Sequence, residues 1–159
     1  MKFVPLLIVG VVILAVVWAL AKKRFVAANV KVKIADIPSI FERLHATAKE
    51  GSFAVFMFTP PGEPSPDGAI NLQFSVEGGR VGLDWVLIAP SNVRDQARFV
   101  QFAERLGYRV AEREMNQVKY LRIEEGGSLP RLCESTIRDL YSLSPDSDLD
   151  LIPEGFSWP

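Results

Sequence analysis

The stretch "INLQFSVEGGRVGLDWVL", residues 70–87, decides the fold, because its residue alternation and its turn both specify an antiparallel hairpin. Apolar residues alternate with polar ones up to Gly78–Gly79, a dipeptide that favours a tight two-residue turn. This turn would place four apolar pairs on one face: Val76–Val81, Phe74–Leu83, Leu72–Trp85 and Ile70–Leu87. The sequence therefore predicts a hairpin that presents one apolar face to a core.

Two elements and a loop are predicted before this hairpin. Residues 36–51, "DIPSIFERLHATAKEG", have the apolar spacing of a helix, with Asp36 or Ser39 as the cap. The apolar run "FAVFMF", residues 53–58, is short enough to be a strand buried on both faces. The next segment, "TPPGEPSPDGA", has four prolines and two glycines, which exclude regular structure. Its Pro61 and Pro64 are candidate partner-binding residues.

Two helices and a second hairpin are predicted after the first hairpin. Residues 91–107 are amphipathic at helical spacing, with an apolar stripe of Val93, Ala97, Val100, Phe102 and Leu106. Residues 108–125 predict a second hairpin, but the pattern does not determine its register. A turn at Asn116–Gln117 pairs two apolar residues, Val110 and Ile123, but also pairs the charged Glu112 with the apolar Leu121. Residues 128–141, "SLPRLCESTIRDLY", predict a third helix capped by Ser128.

This order of elements predicts an α+β domain over residues 36–159. An antiparallel β-sheet of about five strands, with three helices packed mainly on one face, buries all of the apolar faces. One N-terminal transmembrane helix would precede this domain.

The N-terminal segment predicts a membrane anchor. Residues 3–21 contain no charged side chain and would span about 28 Å as a helix, close to the thickness of the hydrocarbon core. Lys22, Lys23 and Arg24 follow at once, as in a stop-transfer flank. We therefore interpret residues 1–24 as an uncleaved anchor. The alternative is a signal peptide cleaved after Ala21, which would make the protein secreted or periplasmic.

The positive-inside rule orients this anchor. Basic residues are concentrated after the apolar segment, which predicts a single-pass protein of the bacterial inner membrane with its domain facing the cytoplasm. Residues 25–35 are interpreted as a juxtamembrane linker. A short strand is the alternative there, because Val30, Val32 and Ile34 alternate with lysines.

The charge balance argues against nucleic acid as a partner. Four of the 18 basic residues lie in residues 1–24, which leaves 14 against 19 acidic residues in the rest of the chain. A domain with an excess of acid is poorly suited to binding phosphate backbones.

No pattern in the sequence predicts a catalytic, cofactor or metal site. The single histidine, His45, and the single cysteine, Cys133, are interpreted as structural or surface residues. Residues 146–150 begin like a calcium loop, but Leu151 and Ser157 stand where glycine and glutamate are needed. The weakest hypothesis is a carboxylate enzyme that uses Asp84 with Glu112 or Glu114.

The C-terminal tail, residues 144–159, is too apolar for a free acidic end. Phe156 and Trp158 either dock back on the domain or are presented to a partner, and docking is the commoner fate of such a segment. Both residues are candidate partner-binding residues.

The order of the predicted elements resembles the type III secretion chaperone-like fold shared with YbjN-like proteins. The resemblance rests on residues 53–58, 70–87 and 93–107 and on "RLCESTIRDLY", residues 131–141. The resemblance implies a non-enzymatic domain that binds partner polypeptides and often dimerises. We therefore expect a membrane-anchored protein-binding domain, chaperone-like or accessory. Its partners would be the bilayer through residues 3–21, another polypeptide and a second copy of the chain. The alternative is a neutralising or accessory subunit of one membrane or secretion-system partner.

Overall fold

The hairpin at residues 70–87 lies in the middle of an antiparallel seven-stranded sheet. The computed structural model describes residues 30–47, 49–65 and 67–159. The strands are β1 (Val30–Lys33), β2 (Phe53–Phe58), β3 (Ile70–Glu77), β4 (Arg80–Val86), β5 (Ala111–Met115), β6 (Val118–Ile123) and β7 (Asp148–Glu154), in the order β1-β7-β2-β3-β4-β6-β5. The helices are α1 (Ile37–Thr47), α2 (Pro90–Arg105) and α3 (Leu129–Ser135), and a π-helical turn, Thr136–Leu140, extends α3.

The β3–β4 hairpin has the predicted register. Val76 lies opposite Val81 and Phe74 opposite Leu83. Both turn glycines have positive φ angles, 58° for Gly78 and 72° for Gly79, as a two-residue hairpin turn requires. The local pattern therefore specified this part of the sheet correctly.

All three helices pack on one face of the sheet, where the apolar residues of β2, β3 and β4 are buried. The α+β class, the antiparallel sheet and the three helices are confirmed. The predicted number of strands is wrong, because the sheet has seven strands rather than about five.

The two strands beyond the predicted five are β1 and β7, which pair with each other. Val32 lies opposite Leu149, and both side chains are buried. On the other face, Lys31 binds Asp150 at 2.7 Å and Lys33 binds Asp148 at 2.6 Å. The linker interpretation is therefore wrong for residues 30–35, and the alternative of a short strand holds at Val30–Lys33.

The buried face of α2 differs from the predicted stripe. Val93 is 51 % exposed and Leu106, just after the helix, is 48 % exposed. The buried residues are Ser91, Asn92, Asp95, Phe99, Phe102 and Ala103. Two contacts hold this side of the helix against the sheet: Phe99 stacks on Trp85 with 4.4 Å between the ring centroids, and Asn92 bonds β3. Its side chain accepts from the backbone N–H of Asn71 at 3.1 Å and donates to the same residue's carbonyl at 2.8 Å.

Replacing Asn92 by alanine should destabilise the protein by about 1–3 kcal/mol, because the change leaves two buried backbone groups of Asn71 without partners. Val93→Ala, one residue along the same helix, should change the free energy of unfolding by less than about 0.5 kcal/mol. Urea denaturation of both variants measures the difference. A loss of stability at Val93→Ala as large as that at Asn92→Ala would contradict this difference in burial.

The second hairpin and the third helix follow the sequence more closely. Asn116 and Gln117 have φ angles of 52° and 68°, so the turn lies where it was predicted. The register places Glu112 opposite Leu121. In α3, the Ser128 side chain accepts a hydrogen bond from the backbone N–H of Arg131, as the predicted cap.

The predicted membrane anchor, residues 1–24, and residues 25–29 of the predicted linker lie outside the described residues. Within the described ranges, none of the helices combines the length and the apolar character that crossing a bilayer requires.

Candidate functional site

A buried charged cluster lies on the sheet face opposite the helices. Arg122 of β6 is only 1 % exposed, and Asp84 of β4 is fully buried. Arg122 Nη1 donates to Asp84 Oδ1 at 2.8 Å. A buried ion pair of this kind needs further hydrogen bonds to offset the loss of hydration.

The strand register places Asp84 and Arg122 side by side, and Gly82 leaves room for the guanidinium group. Asp84 lies opposite Arg122 in the β4–β6 register, and opposite Gln73 in the β3–β4 register. Gly82 lies on the same face of β4, and a Cβ there would lie 2.5 Å from Arg122 Cζ. A side chain at position 82 would therefore displace the guanidinium group.

Hydrogen bonds from neighbouring strands saturate the pair. The Ser75 hydroxyl and the Gln73 amide both donate to Asp84 Oδ2, the amide at 3.2 Å. Arg122 also donates to the Arg80 carbonyl at 3.1 Å and to Glu124 Oε1 at 2.7 Å. Across the described residues, no buried side-chain nitrogen or oxygen lacks a hydrogen-bond partner.

Further side chains, from buried Tyr120 to exposed Arg80, lie around the pair. Glu77 accepts a hydrogen bond from the Tyr120 hydroxyl at 3.0 Å, and its carboxylate lies 3.6 Å from Arg122 Nε. Arg80 binds Glu125 at 3.2 Å on the exposed side. The cluster thus joins strands β3, β4 and β6 and the loop after β6.

Burial dominates the electrostatics of the cluster. It raises the pKa of Asp84, whereas Arg122, Ser75 and Gln73 act in the opposite direction. Burial, followed by the charge of Asp84, also raises the pKa of Glu77. For Arg122, burial alone would lower the pKa, but Asp84 and Glu124 outweigh it and the pKa is raised. Because Gln73, Ser75 and Arg122 all donate hydrogen bonds to the Asp84 carboxylate, we interpret the pair as ionised.

The hypothetical pair of Asp84 with Glu112 or Glu114 is not formed. Glu112 lies opposite Leu121, whose side chain belongs to the helix-covered core, whereas Asp84 lies opposite Arg122 on the other face. Two carboxylates on opposite faces of a sheet cannot share a substrate. Both oxygens of Asp84 already accept hydrogen bonds within the cluster.

The other residues considered for chemistry are placed as follows. His45 is exposed, and its ring stacks on Phe41 with 6.0 Å between centroids. Cys133 is buried, which raises the pKa of its thiol. The described part of the chain contains no group of three or more metal-binding side chains. Asp148 and Asp150, from the calcium-like stretch, lie in β7 and bind lysines of β1.

The tail docks on the domain. Phe156 and Trp158 are half-buried and pack against the core. The Arg43 guanidinium lies 5.4 Å from the centroid of the Trp158 ring and donates to the Ser157 carbonyl at 2.9 Å. The cation–π contact and the hydrogen bond hold the tail on α1.

The proline-rich loop is built from turns. The Glu63 N–H donates to the Pro60 carbonyl at 3.2 Å, and Gly62 has a φ of 79°. Pro61 and Pro64 are exposed on this loop. Arg94 of α2 binds Glu63 at 3.1 Å and holds the loop against the helix.

Sequence reasoning missed the charged cluster, although signals for it were present. The polar residues of the hairpin, Gln73, Ser75 and Asp84, share one face with a glycine inside a strand. An arginine also interrupts the apolar run of β6. Each signal is ordinary by itself, and only the β4–β6 pairing joins them.

The outer edge of β5 is the other candidate for function. β5 is the last strand in the sheet order, so its only neighbour in the described structure is β6. Ala111, Glu112, Arg113 and Glu114 are all exposed. An open edge of this kind can pair with another strand.

The comparisons with known proteins give no relatives for this chain. No family model, no curated protein and no solved structure matches it.

Proposed function

We propose that this chain is a membrane-anchored, non-enzymatic domain that binds a partner polypeptide on the cytoplasmic side of the membrane. The observation that supports the proposal most is the open edge of β5. The helix–strand order from Ile37 to Leu140 is also the one on which the resemblance to chaperone-like proteins depends.

The edge offers backbone groups to a partner strand. In a two-residue hairpin turn, the residues on either side of the turn, here Met115 and Val118, form a hydrogen-bonded pair. The backbone hydrogen bonds to β6 therefore come from Met115, Arg113 and Ala111. The N–H and C=O groups of Glu112 and Glu114 therefore point away from the sheet. An extended polypeptide can add to such an edge as a further strand.

The charges on this edge oppose its pairing with a second copy. In a symmetric antiparallel pair of two β5 strands, residues directly opposite each other have their side chains on the same face of the sheet. Glu112 and Glu114 share one face and Arg113 lies on the other, so Arg113 would face Arg113 or glutamate would face glutamate. Like charges directly opposite each other are destabilising. The edge therefore favours a different chain, with basic residues opposite Glu112 and Glu114.

Charge reversal tests this proposal. Full-length protein with Glu112→Lys and Glu114→Lys should no longer recover the partner that the wild-type chain recovers from detergent-solubilised membranes. The matched control, Glu42→Lys with Glu104→Lys, changes two other exposed glutamates by the same net charge and should recover the partner normally. A photo-crosslinking residue at position 113 should join the same partner to the edge.

Two results would contradict the proposal. If both double variants recover the partner equally, the β5 edge is not the binding surface. If the protein is extracted from membranes by carbonate, or its N-terminus is found at Lys22 by mass spectrometry, the anchor is wrong.

A further inference from the structure

We propose that the tail, residues 155–159, contacts the headgroup region of the bilayer through Phe156 and Trp158, beside the point where the anchor leaves the membrane. This inference rests on the proposed membrane anchoring and adds a second membrane contact to it. It follows from the register of β1 and β7, the length of the intervening chain and the chemistry of the tail.

The register sets the direction of the tail. β1 begins at Val30, which lies opposite Leu151. Because the two strands are antiparallel, β7 runs towards the end of the sheet where β1 begins, and Glu154 lies about 10 Å beyond Leu151 in that direction. The tail therefore leaves the sheet on the side from which the N-terminal segment enters it.

The chain before β1 is short. Only residues 25–29 separate Arg24, the last residue of the basic flank, from Val30. Even a fully extended chain places these two Cα atoms at most about 22 Å apart. Since Glu154 already lies about 10 Å along this direction, Arg24 can lie at most about 12 Å beyond Glu154 on that side of the sheet.

The tail has the chemistry of a membrane interface. Trp158 is half-buried, with Arg43 over its ring, and Phe156 is also half-buried. Aromatic residues with a polar group, above all Trp, concentrate at headgroup depth. Gly155, with a φ of 77°, lies where β7 ends and the aromatic tail begins.

Charge contributes little to this contact. The exposed basic residues at this end, Lys49, Arg80 and Arg109, are matched by the exposed acidic residues Glu50, Glu125 and Glu154. The Glu50 carboxylate accepts from the backbone N–H groups of Gly78 and Gly79, at 3.1 and 3.2 Å. We therefore expect the aromatic residues to carry the contact, with little dependence on anionic lipid.

A fluorescence experiment on the full chain tests this inference. Ser157→Cys places a thiol on the exposed tail, and Thr59→Cys places one after β2, at the opposite end of the sheet. Cys133 can stay, because it is buried and its pKa is raised, so it will not react with the label. Each variant carries an environment-sensitive fluorophore and is reconstituted into vesicles that contain a headgroup-labelled nitroxide lipid.

We expect the nitroxide to quench the label at position 157 several-fold more strongly than the label at position 59. The difference should persist in vesicles of phosphatidylcholine alone. It should decrease when Phe156 and Trp158 are both replaced by serine, as long as the variant still melts cooperatively.

The contrary outcomes separate this inference from the anchor. Equal quenching at the two positions, in protein that resists carbonate extraction, would overturn the tail contact and leave the anchor intact. Quenching at 157 only in vesicles with anionic lipid would overturn the aromatic contact. Protein that carbonate removes from the vesicles would overturn both proposals.

Discussion

Ending the chain after Ser144 should abolish cooperative folding, because it removes β7 from between β1 and β2. Leu149 and Leu151 of β7 are fully buried, and β1 pairs with no other strand in the described structure. Replacing a single buried leucine by alanine already costs about 2–5 kcal/mol. Losing two, together with the burial of Val32, approaches the whole stability of a typical domain, about 5–15 kcal/mol.

Ending the chain after Glu154 is the matched comparison. This variant keeps β7 and loses only the docked tail, so it should melt cooperatively, with a midpoint lower by a few degrees. Thermal unfolding followed by circular dichroism measures both variants. A chain ending at Ser144 that melts cooperatively near the full-length midpoint would show that β7 does not hold the sheet together.

The second large effect is expected at the charged cluster. Replacing Asp84 by alanine should cost about 3–5 kcal/mol, because the change leaves the Arg122 guanidinium buried without its principal counter-charge. Asp150→Ala is the control. It removes an ion pair in which the lysine is largely exposed, and should cost less than about 1 kcal/mol.

A double variant distinguishes the loss of the ion pair from the cost of leaving one buried charge without its partner. Asp84→Leu combined with Arg122→Met replaces the pair by apolar side chains and should be less destabilising than Asp84→Ala alone. Urea unfolding of this double variant and of its two component single variants, Asp84→Leu and Arg122→Met, gives the coupling energy. A cost below about 1 kcal/mol for Asp84→Ala would mean that the Asp84–Arg122 contact contributes little to stability.

The elements that could be predicted are those whose signals are local. The β3–β4 hairpin has its turn residues and its alternation within residues 70–87, so both register and buried face follow from the sequence. The turn at Asn116–Gln117 and the cap at Ser128 are similar cases. In each case, a few neighbouring residues satisfy the geometry by themselves.

The elements that were missed depend on partners far away in the chain. β1 is four residues long and becomes a strand only because β7, near the other terminus, supplies its hydrogen bonds and its aspartates. The rotation of α2 has the same origin. Its exposed Val93 continues the apolar pattern, but the side that faces the sheet is the one on which Asn92 bonds Asn71 and Phe99 stacks on Trp85.

The sequence alone therefore determined the α+β class, the central hairpin and three helices, because turn chemistry and apolar periodicity are read within one segment. Only the tertiary structure decided that the sheet has seven strands, that β7 is inserted between β1 and β2, and that Asp84 and Arg122 form a buried pair. The reason is physical. A cross-strand contact between distant segments depends on which edges meet in the sheet, and no local pattern records that choice.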